Sequence, residues 1–233
     1  MSIFKFKQFD VNQSNCAMKI NTDGVLLATL VESDNPKYIL DIGTGTGVLA
    51  LMMAQRFPMA LVEAVEIDEN ASATAEKNFQ LSAFSNRLSI NNIPIEQYNN
   101  KEHFDLIISN PPFFVNDLKN IEQKKGIARH TNEEFFVNLI KKVDALLSGT
   151  GSFWFILPIK QAKLLIKDAL EKGLILAKKI ELHSDESKPA FRWIVCLARN
   201  GAQCKTEHFY IYEGEKVYTQ SYKDLLKDFF LQY

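Results

Sequence analysis

Asn110-Pro111-Pro112-Phe113 follows a run of strand type, Phe104-Asp105-Leu106-Ile107-Ile108-Ser109, and combines groups suited to holding a planar amine. Consecutive prolines fix φ and carry no backbone N–H, so their carbonyls are left without a helix or sheet partner. Asn110 adds an amide oxygen that accepts a hydrogen bond, and Phe113 adds a ring that can lie over a flat group. Two acceptors for the hydrogens of an sp²-attached amino group, with a ring against its plane, would aim that nitrogen at an electrophile. Taken alone, the same four residues also describe a rigid turn closing a strand. The rest of the chain has to decide.

Upstream, Tyr38-Ile39-Leu40-Asp41-Ile42 is a short apolar run ending near an acid, and Gly43, Gly45 and Gly47 follow at alternate positions before a helix-forming stretch through Arg56. Glycines let a chain turn tightly and approach a ligand closely, and the helix behind them offers free N–H groups at its start. The spacing is G-x-G-x-G, which lacks the third glycine of the dinucleotide fingerprint G-x-G-x-x-G. Asp41 in front of the loop repels a pyrophosphate and suits a cationic or amino-bearing ligand. A sulfonium conjugate such as S-adenosylmethionine fits better than NAD. A second apolar run, Ala60 to Val65, ends in Glu66-Ile67-Asp68. Glu66 stands roughly 20 residues past the loop, where a strand-end acid grips ribose hydroxyls. Asp68 reads as the residue that starts the next helix.

The elements that must position these groups alternate along the middle of the chain. Strands are expected at 38–42, 61–66, 88–92, 104–109 and 151–157, and helices near 46–56, 69–80, 133–147 and 159–172. That order is a doubly wound α/β sheet. Two β-rich runs without a helix between them, Leu174–Leu182 and Arg192–Arg199, read as an antiparallel pair closing the sheet. Before the first core strand, Thr22-Asp23 starts a helix expected to lie over the cofactor. The N-terminal segment from Met1 to Phe9 alternates apolar and polar residues and reads as a short strand.

With 233 residues and 46% hydrophobic content, the chain can bury one sizeable core. It is read as a single domain, with an N-terminal strand and helix as cover (1–35), a core (36–200) and a C-terminal strand and helix as extension (201–233). It lacks the long uncharged apolar run of a membrane span and the h-region of a signal peptide. Cys16, Cys196 and Cys204 have no metal spacing and suit a reducing cytoplasm. The four histidines, His103, His130, His183 and His208, are scattered, and no metal is expected. A net charge of −1 does not announce a nucleic-acid binder. Lysines are nonetheless dense just after the Asn-Pro-Pro-Phe segment, where Lys119, Lys124, Lys125 and Arg129 are placed to contact substrate phosphates. A second group, Lys160, Lys163 and Lys167, serves equally well as a solvated helix face.

Asp-x-Gly-x-Gly-x-Gly, then Val-Glu-x-Asp, then Asn-Pro-Pro-Phe together resemble the class I, Rossmann-like S-adenosylmethionine-dependent methyltransferases that act on amino nitrogens. The resemblance implies a mostly parallel seven-stranded sheet with an antiparallel strand near the end. It implies that Asn110 and the Pro111 carbonyl hold the amine, that Phe113 stacks on its base or amide, and that Glu66 binds the cofactor ribose. Asp41, Gly43, Gly45 and Gly47 become the cofactor loop. Many relatives carry an acid after the third strand; here Asn92 and Ile93 take that place, as an amide and an apolar contact to the adenine. Pro112 and Phe114 would complete the pocket wall.

Met18-Lys19-Ile20-x-Thr22-Asp23-x-x-Leu26-Leu27 and the Tyr-rich C-terminus ending in Asp228-Phe229-Phe230-Leu231 are similar to bacterial tRNA1(Val) (adenine-37 N6)-methyltransferases. Lys19 and Thr22 would then line the cofactor or substrate entrance, and the substrate would be adenine 37 in the anticodon loop of tRNA(Val). Tyr218 and Tyr222 either stack on RNA bases or cover a sheet edge. Three other functions compete. Protein glutamine N5-methyltransferases share the cradle but usually carry Tyr in place of Phe113 and a separate helical domain. Ribosomal RNA guanine-N2 methyltransferases typically carry a duplicated domain. A non-catalytic cofactor-binding scaffold would need neither intact motif.

Overall fold

The computed structural model describes residues 3–14, 19–112, 125–201 and 204–232, with side chains at all of these except 125–133. A hairpin of β1 (Ile3–Lys5) and β2 (Asp10–Asn12) opens the chain, where the alternating pattern had suggested one strand. Helix α1 (Thr22–Leu30) leads into the alternating unit: β3 (Tyr38–Ile42), α2 (Val48–Arg56), β4 (Leu61–Val65), α3 (Glu69–Leu81), β5 (Leu88–Asn91) and β6 (Phe104–Ser109). Helix α4 (Lys125–Leu146) follows, then β7 (Leu147–Leu157), α5 (Ile159–Glu171), β8 (Ile175–His183), β9 (Ala190–Ala198) and β10 (Lys205–Tyr210). A small hairpin of β11 (Tyr212–Gly214) and β12 (Val217–Tyr218) precedes α6 (Gln220–Leu226).

The main sheet has eight strands in the order β10-β8-β9-β7-β6-β3-β4-β5. This corrects the expected seven: β10, from the C-terminal extension, adds an edge strand parallel to β8. Strand β9 runs antiparallel to both β7 and β8, so the closing antiparallel pair is as expected, and the other pairings are parallel. The central strands read as nearly continuous apolar runs because both faces are covered. One face packs Leu26 and Leu27 of α1, Leu49 and Met52 of α2 and Phe79 of α3. The other packs Phe136, Leu139, Ile140 and Val143 of α4 against Leu165 and Ile166 of α5.

The two ends of the chain meet. Phe6 bridges Phe230, Lys7 N donates to Phe229 O at 2.8 Å, and Phe4, Phe6, Phe9 and Phe230 pack ring against ring. Phe229 is buried, so this part of the tail serves packing. Because β3, β4, β6, β7 and β8 point the same way, their carboxyl ends share one edge, the place where open α/β sheets bind ligands.

Candidate active site

Ile42 and Ser109 are paired across β3 and β6, and Ser109 Oγ donates to Ile42 O at 2.8 Å. The next residue on each strand is therefore Gly43 on one side and Asn110 on the other. Two motifs more than sixty residues apart leave the sheet as neighbours.

The glycine loop is tied from beneath by main chain. Gly43 N and Thr44 N donate to Val65 O at 2.8 and 3.3 Å, and Gly47 N closes onto Thr44 O at 2.9 Å. Gly43, Gly45 and Gly47 all have positive φ (72°, 58° and 85°), a conformation L side chains rarely adopt. Their surroundings separate their roles. A β-carbon on Gly47 would lie 2.5 Å from Phe79 Cε1, so Gly47 lets α2 and α3 pack. At Gly43 and Gly45 a β-carbon would meet nothing within 4 Å, so these two border open space. A ligand can approach their backbone directly.

Asp41 is fully buried under this loop. Its Oδ2 accepts from Thr44 Oγ1 at 2.5 Å and from Ala50 N at 3.1 Å, and its Oδ1 is buried with no hydrogen-bond partner among the described residues. Burial pushes its pKa up to about 7, opposed by the bonds from Thr44 and Ala50 and assisted by the nearby Glu66 charge. The side chain expected to meet a cationic ligand secures the loop to the first turn of α2 through Oδ2. Glu66 is also buried: Oε2 accepts from Gly45 N at 2.8 Å and Oε1 from Asp68 N at 2.9 Å. Each carboxylate oxygen keeps acceptor capacity for a hydroxyl. Asp68 caps α3, accepting from Ala71 N at 2.7 Å, as its position suggested. Asn92 donates to Glu66 O and Ile67 O at 2.8 and 3.3 Å, which leaves its carbonyl oxygen as the group it can offer, and Ile93 is half-buried beside it.

Asn110 is half-buried, Pro111 buried and Pro112 half-buried. Asn110 Nδ2 faces Asn21 Oδ1 at 3.5 Å, and Asn21 Oδ1 also accepts from Gly24 N at 2.9 Å as the N-cap of α1. The Gly24 N–H fixes the Asn21 atom as oxygen. The Asn110 atom facing it is then nitrogen, and the Asn110 carbonyl oxygen is turned away as an acceptor. Asn21 was missed at the sequence level; an Asn one residue before a helix start was the available signal. Gly24 was missed too. A β-carbon there would lie 2.9 Å from Leu49 Cδ1 and 3.5 Å from Asn110 Nδ2.

Asn78 is a further residue that sequence reasoning passed over. It is buried in α3, donating to Thr46 O (2.8 Å) and Asn12 O (3.1 Å) and accepting from Asn12 N (2.9 Å). It thereby fastens the N-terminal hairpin to the glycine loop. Gln13 Oε1 accepts from Ile20 N at 2.8 Å and brings the chain back toward α1. Lys19 and Thr22 are exposed, one before α1 and the other at its first position.

Beside this site, along the same edge, is a cleft of about 510 Å³ lined by Asn21, Thr22, Phe191, Arg192, Tyr212 and Tyr218 among others. Tyr218 stacks on Tyr212 (5.0 Å, 23°) and on Tyr222 (4.6 Å, 8°). Arg192 Nε donates to Asp23 Oδ2 at 2.8 Å, tying β9 to α1. Phe113, Phe114, Lys119 and Lys124 lie outside the described residues, and Lys125 and Arg129 are placed on α4 by their backbone alone. In the second lysine group, Lys163 lies over the Trp193 ring at 5.5 Å and Lys167 pairs with Glu171 at 3.9 Å on the surface, as a solvated face would.

The model of the methyltransferase small domain matches residues 16–181. A tRNA1(Val) (adenine(37)-N6)-methyltransferase of Pedobacter heparinus is 54% identical over 230 residues, covering 99% of this chain and 98% of that protein. The chain belongs to that family. The protein of the same name from Trichodesmium erythraeum is 38% identical, covering 99% and 98%. Among solved structures, a predicted O-methyltransferase of Agrobacterium tumefaciens superposes with a TM-score of 0.69 at 21% identity, covering 89% of this chain and 96% of that one. A methyltransferase from Pyrococcus furiosus gives 0.58 at 21% identity, over 81% and 91%. These last two establish the class I methyltransferase fold. No helix among the described residues is long and apolar enough to cross a membrane.

Proposed function

We propose that this chain methylates the exocyclic N6 amine of adenine 37 in the anticodon loop of tRNA(Val), with S-adenosylmethionine as donor, in the cytoplasm. The observation that carries this reading is the pairing of Ile42 with Ser109, which sets a loop open to a ligand backbone-first beside an amide acceptor. When bound, S-adenosylmethionine supplies an electrophilic methyl group on sulfonium.

The protein's part is positioning and electrostatics. An aromatic amine is a poor nucleophile because its lone pair is delocalised into the ring. Asn110 Oδ1 and the Pro111 carbonyl accept its two hydrogens and favour a more tetrahedral nitrogen. Phe113 supplies the stacking ring, with Pro112 and Phe114 as pocket wall. No side chain has to act as a strong base, and the surplus proton leaves to water. Gly43 and Gly45 take the cofactor along their backbone, Glu66 its ribose, and Asn92 with Ile93 its adenine. Lys19 and Thr22 border the entrance; Asp41 and Gly47 hold the loop in shape. Lys124, Lys125 and Arg129 contact RNA phosphates, and the tyrosine cleft receives nucleotides flanking the target. An adenine in a loop is partly unstacked already, so extruding it costs only a few kcal/mol.

The test is incubation with tritiated S-adenosylmethionine and unmodified bulk tRNA, followed by digestion to nucleosides. Label in N6-methyladenosine from valine tRNA is expected. No label in tRNA, with label instead in a release-factor glutamine or in N2-methylguanosine when release factor or ribosomal RNA is supplied in parallel incubations, would overturn the substrate; label in glutamine would also overturn the stacking role given to Phe113.

A further inference from the structure

The fold gathers three side chains that the sequence scatters. Glu181 and His183 stand two apart on β8 and so share a face. β10 runs parallel alongside, with His208 in register opposite Glu181 and Tyr210 opposite His183. His183 Nε2 and His208 Nδ1 are 3.0 Å apart, His208 Nδ1 is 3.7 Å from Glu181 Oε2, and one ligand atom from each residue falls within 4.8 Å of the others. The expectation that the histidines stay dispersed fails here because strand pairing, not sequence distance, decides which side chains meet.

The protonation pattern follows from a second contact. His183 Nδ1 lies 2.9 Å from Lys188 O, which can only accept, so Nδ1 carries the hydrogen and Nε2 presents a lone pair to the gap. An imidazole whose other nitrogen donates to a backbone carbonyl is the outer arrangement that metal-binding histidines use. Two nitrogens bound to one tetrahedral ion at 2.0–2.1 Å stand roughly 3.4 Å apart. The observed spacing needs to open by only a few tenths of an ångström. Lys179 Nζ engages Glu181 Oε1 at 2.8 Å and leaves Oε2 turned toward His208. The Tyr210 ring packs 4.9 Å from the His183 ring and steadies it. A hydrogen bond from His208 Nδ1 to the same lone pair of His183 gives the short N···N distance without an ion, but it makes no use of the Glu181 carboxylate beside the pair.

We propose that Glu181, His183 and His208 bind a divalent transition-metal ion, with zinc the expected species and water completing its shell. Two imidazoles and one carboxylate suit such an ion rather than calcium or magnesium. The ion would fasten the added edge strand β10 to β8. His183 O accepts from Ile211 N at 3.1 Å and Ser184 O from Tyr212 N at 2.8 Å, so the clip sits at the root of the tyrosine cleft.

The test is calorimetric titration of chelator-dialysed protein with Zn²⁺, alongside visible spectra with Co²⁺. One ion per chain is expected, with no thiolate charge-transfer band. Affinity should fall about tenfold or more in His208→Ala and in Glu181→Gln, and Zn²⁺ should raise the melting temperature of the parent but of neither variant. His208 and Glu181 are each at least partly exposed, and melting in chelator checks that the variants fold. If one variant does not fold, the other decides. Absence of saturable binding at one ion per chain overturns the proposal. So does an affinity that neither substitution changes, or a cobalt spectrum showing sulfur ligation by Cys196 or Cys204.

Discussion

Gly43, Thr44 and Gly47 are fixed by hydrogen bonds to main-chain oxygens of Val65 and Thr44, whereas Asn110, on the adjoining strand end, is oriented by a side chain 89 residues away. The two halves of the edge are thus built by different means. On the cofactor side, buried acids and backbone amides shape a loop whose open positions lack β-carbons. On the substrate side, Asn21, Arg192, Tyr212 and Tyr218 arrive from separate segments and meet only when the sheet closes. A loop made of backbone tolerates little change of residue type within itself. A wall made of side chains can be altered one group at a time. Under the proposed function, the first arrangement would hold an invariant ligand and the second would carry the choice of substrate.

Substitutions on the two sides should therefore separate. Asn110→Ala is expected to give the largest effect, a loss of about 10²- to 10³-fold or more in turnover, with cofactor affinity by calorimetry within a few-fold of the parent. If cofactor binding collapses along with turnover, the division between the halves is wrong. Gly47→Ala should unfold the loop's support: the new β-carbon meets Phe79 at 2.5 Å on a positive φ, and overpacking plus strain costs roughly 2–4 kcal/mol. Gly45→Ala has the φ strain without the clash, so it should cost about 1 kcal/mol in denaturant unfolding while obstructing the cofactor. Equal destabilisation by the two would erase the distinction between packing and ligand-facing glycines. Tyr218→Ala should raise KM for tRNA by about 5-fold or more, the low end of about 1–3 kcal/mol per stacked base, and leave cofactor affinity alone.

The same contrast explains what could be read from sequence. The strand–loop–helix of the cofactor half follows from local pattern: β3 and β6 match their expected bounds, 38–42 and 104–109, residue for residue. Asp68 as a helix cap was equally local. Asp41 was legible as part of the loop, but its burial and its bonds to Thr44 and Ala50 were not, because adjacency to a glycine loop does not reveal how an acid is held. A strand was expected in the C-terminal extension, but its place as the eighth strand of the main sheet was not legible, because 205–210 is short and exposed along its first half and only pairing with β8 puts it there. Asn21 carried a local signal only as a helix cap, whereas its contact with Asn110, the ties of Asn78 and the His183–His208 pair depend on contacts across 60 residues or register between strands that nothing in their neighbourhood announces.

Asp41 provides a test of the loop's electrostatics. Burial pushes its pKa from the ordinary 3.8 up to about 7, so between those pH values the folded chain binds more protons than the unfolded one. Raising pH through that window then favours unfolding, at roughly 1.4 kcal/mol per unit of pKa difference. Asn can still accept from Thr44 and Ala50 through its carbonyl oxygen and does not titrate. Asp41→Asn should flatten the slope of unfolding free energy against pH between about 4 and 7. A slope unchanged by the substitution would mean that the carboxylate is not desolvated.

The smallest effect, and the one that sharpens the comparison most, is at Asn21. Its Oδ1 serves both halves of the edge: it caps α1 through Gly24 N and faces the Asn110 amide. Asn21→Ala removes both functions, so stability should fall by about 1 kcal/mol as for other N-cap truncations. If the contact to Asn110 orients the acceptor, turnover should drop as well, while KM for tRNA and cofactor affinity stay near the parent values. Asn21→Asp keeps an oxygen toward Gly24 N and another acceptor surface toward Asn110 Nδ2, so it should restore both stability and turnover. A cap alone would be rescued by Ser in both readouts. Because the shorter hydroxyl of Ser does not extend to Asn110, an orienting Asn21 predicts that Asn21→Ser recovers the 1 kcal/mol and leaves turnover low. Recovery of turnover by Ser would reduce Asn21 to a helix cap and return the orientation of Asn110 to the proline pair that follows it.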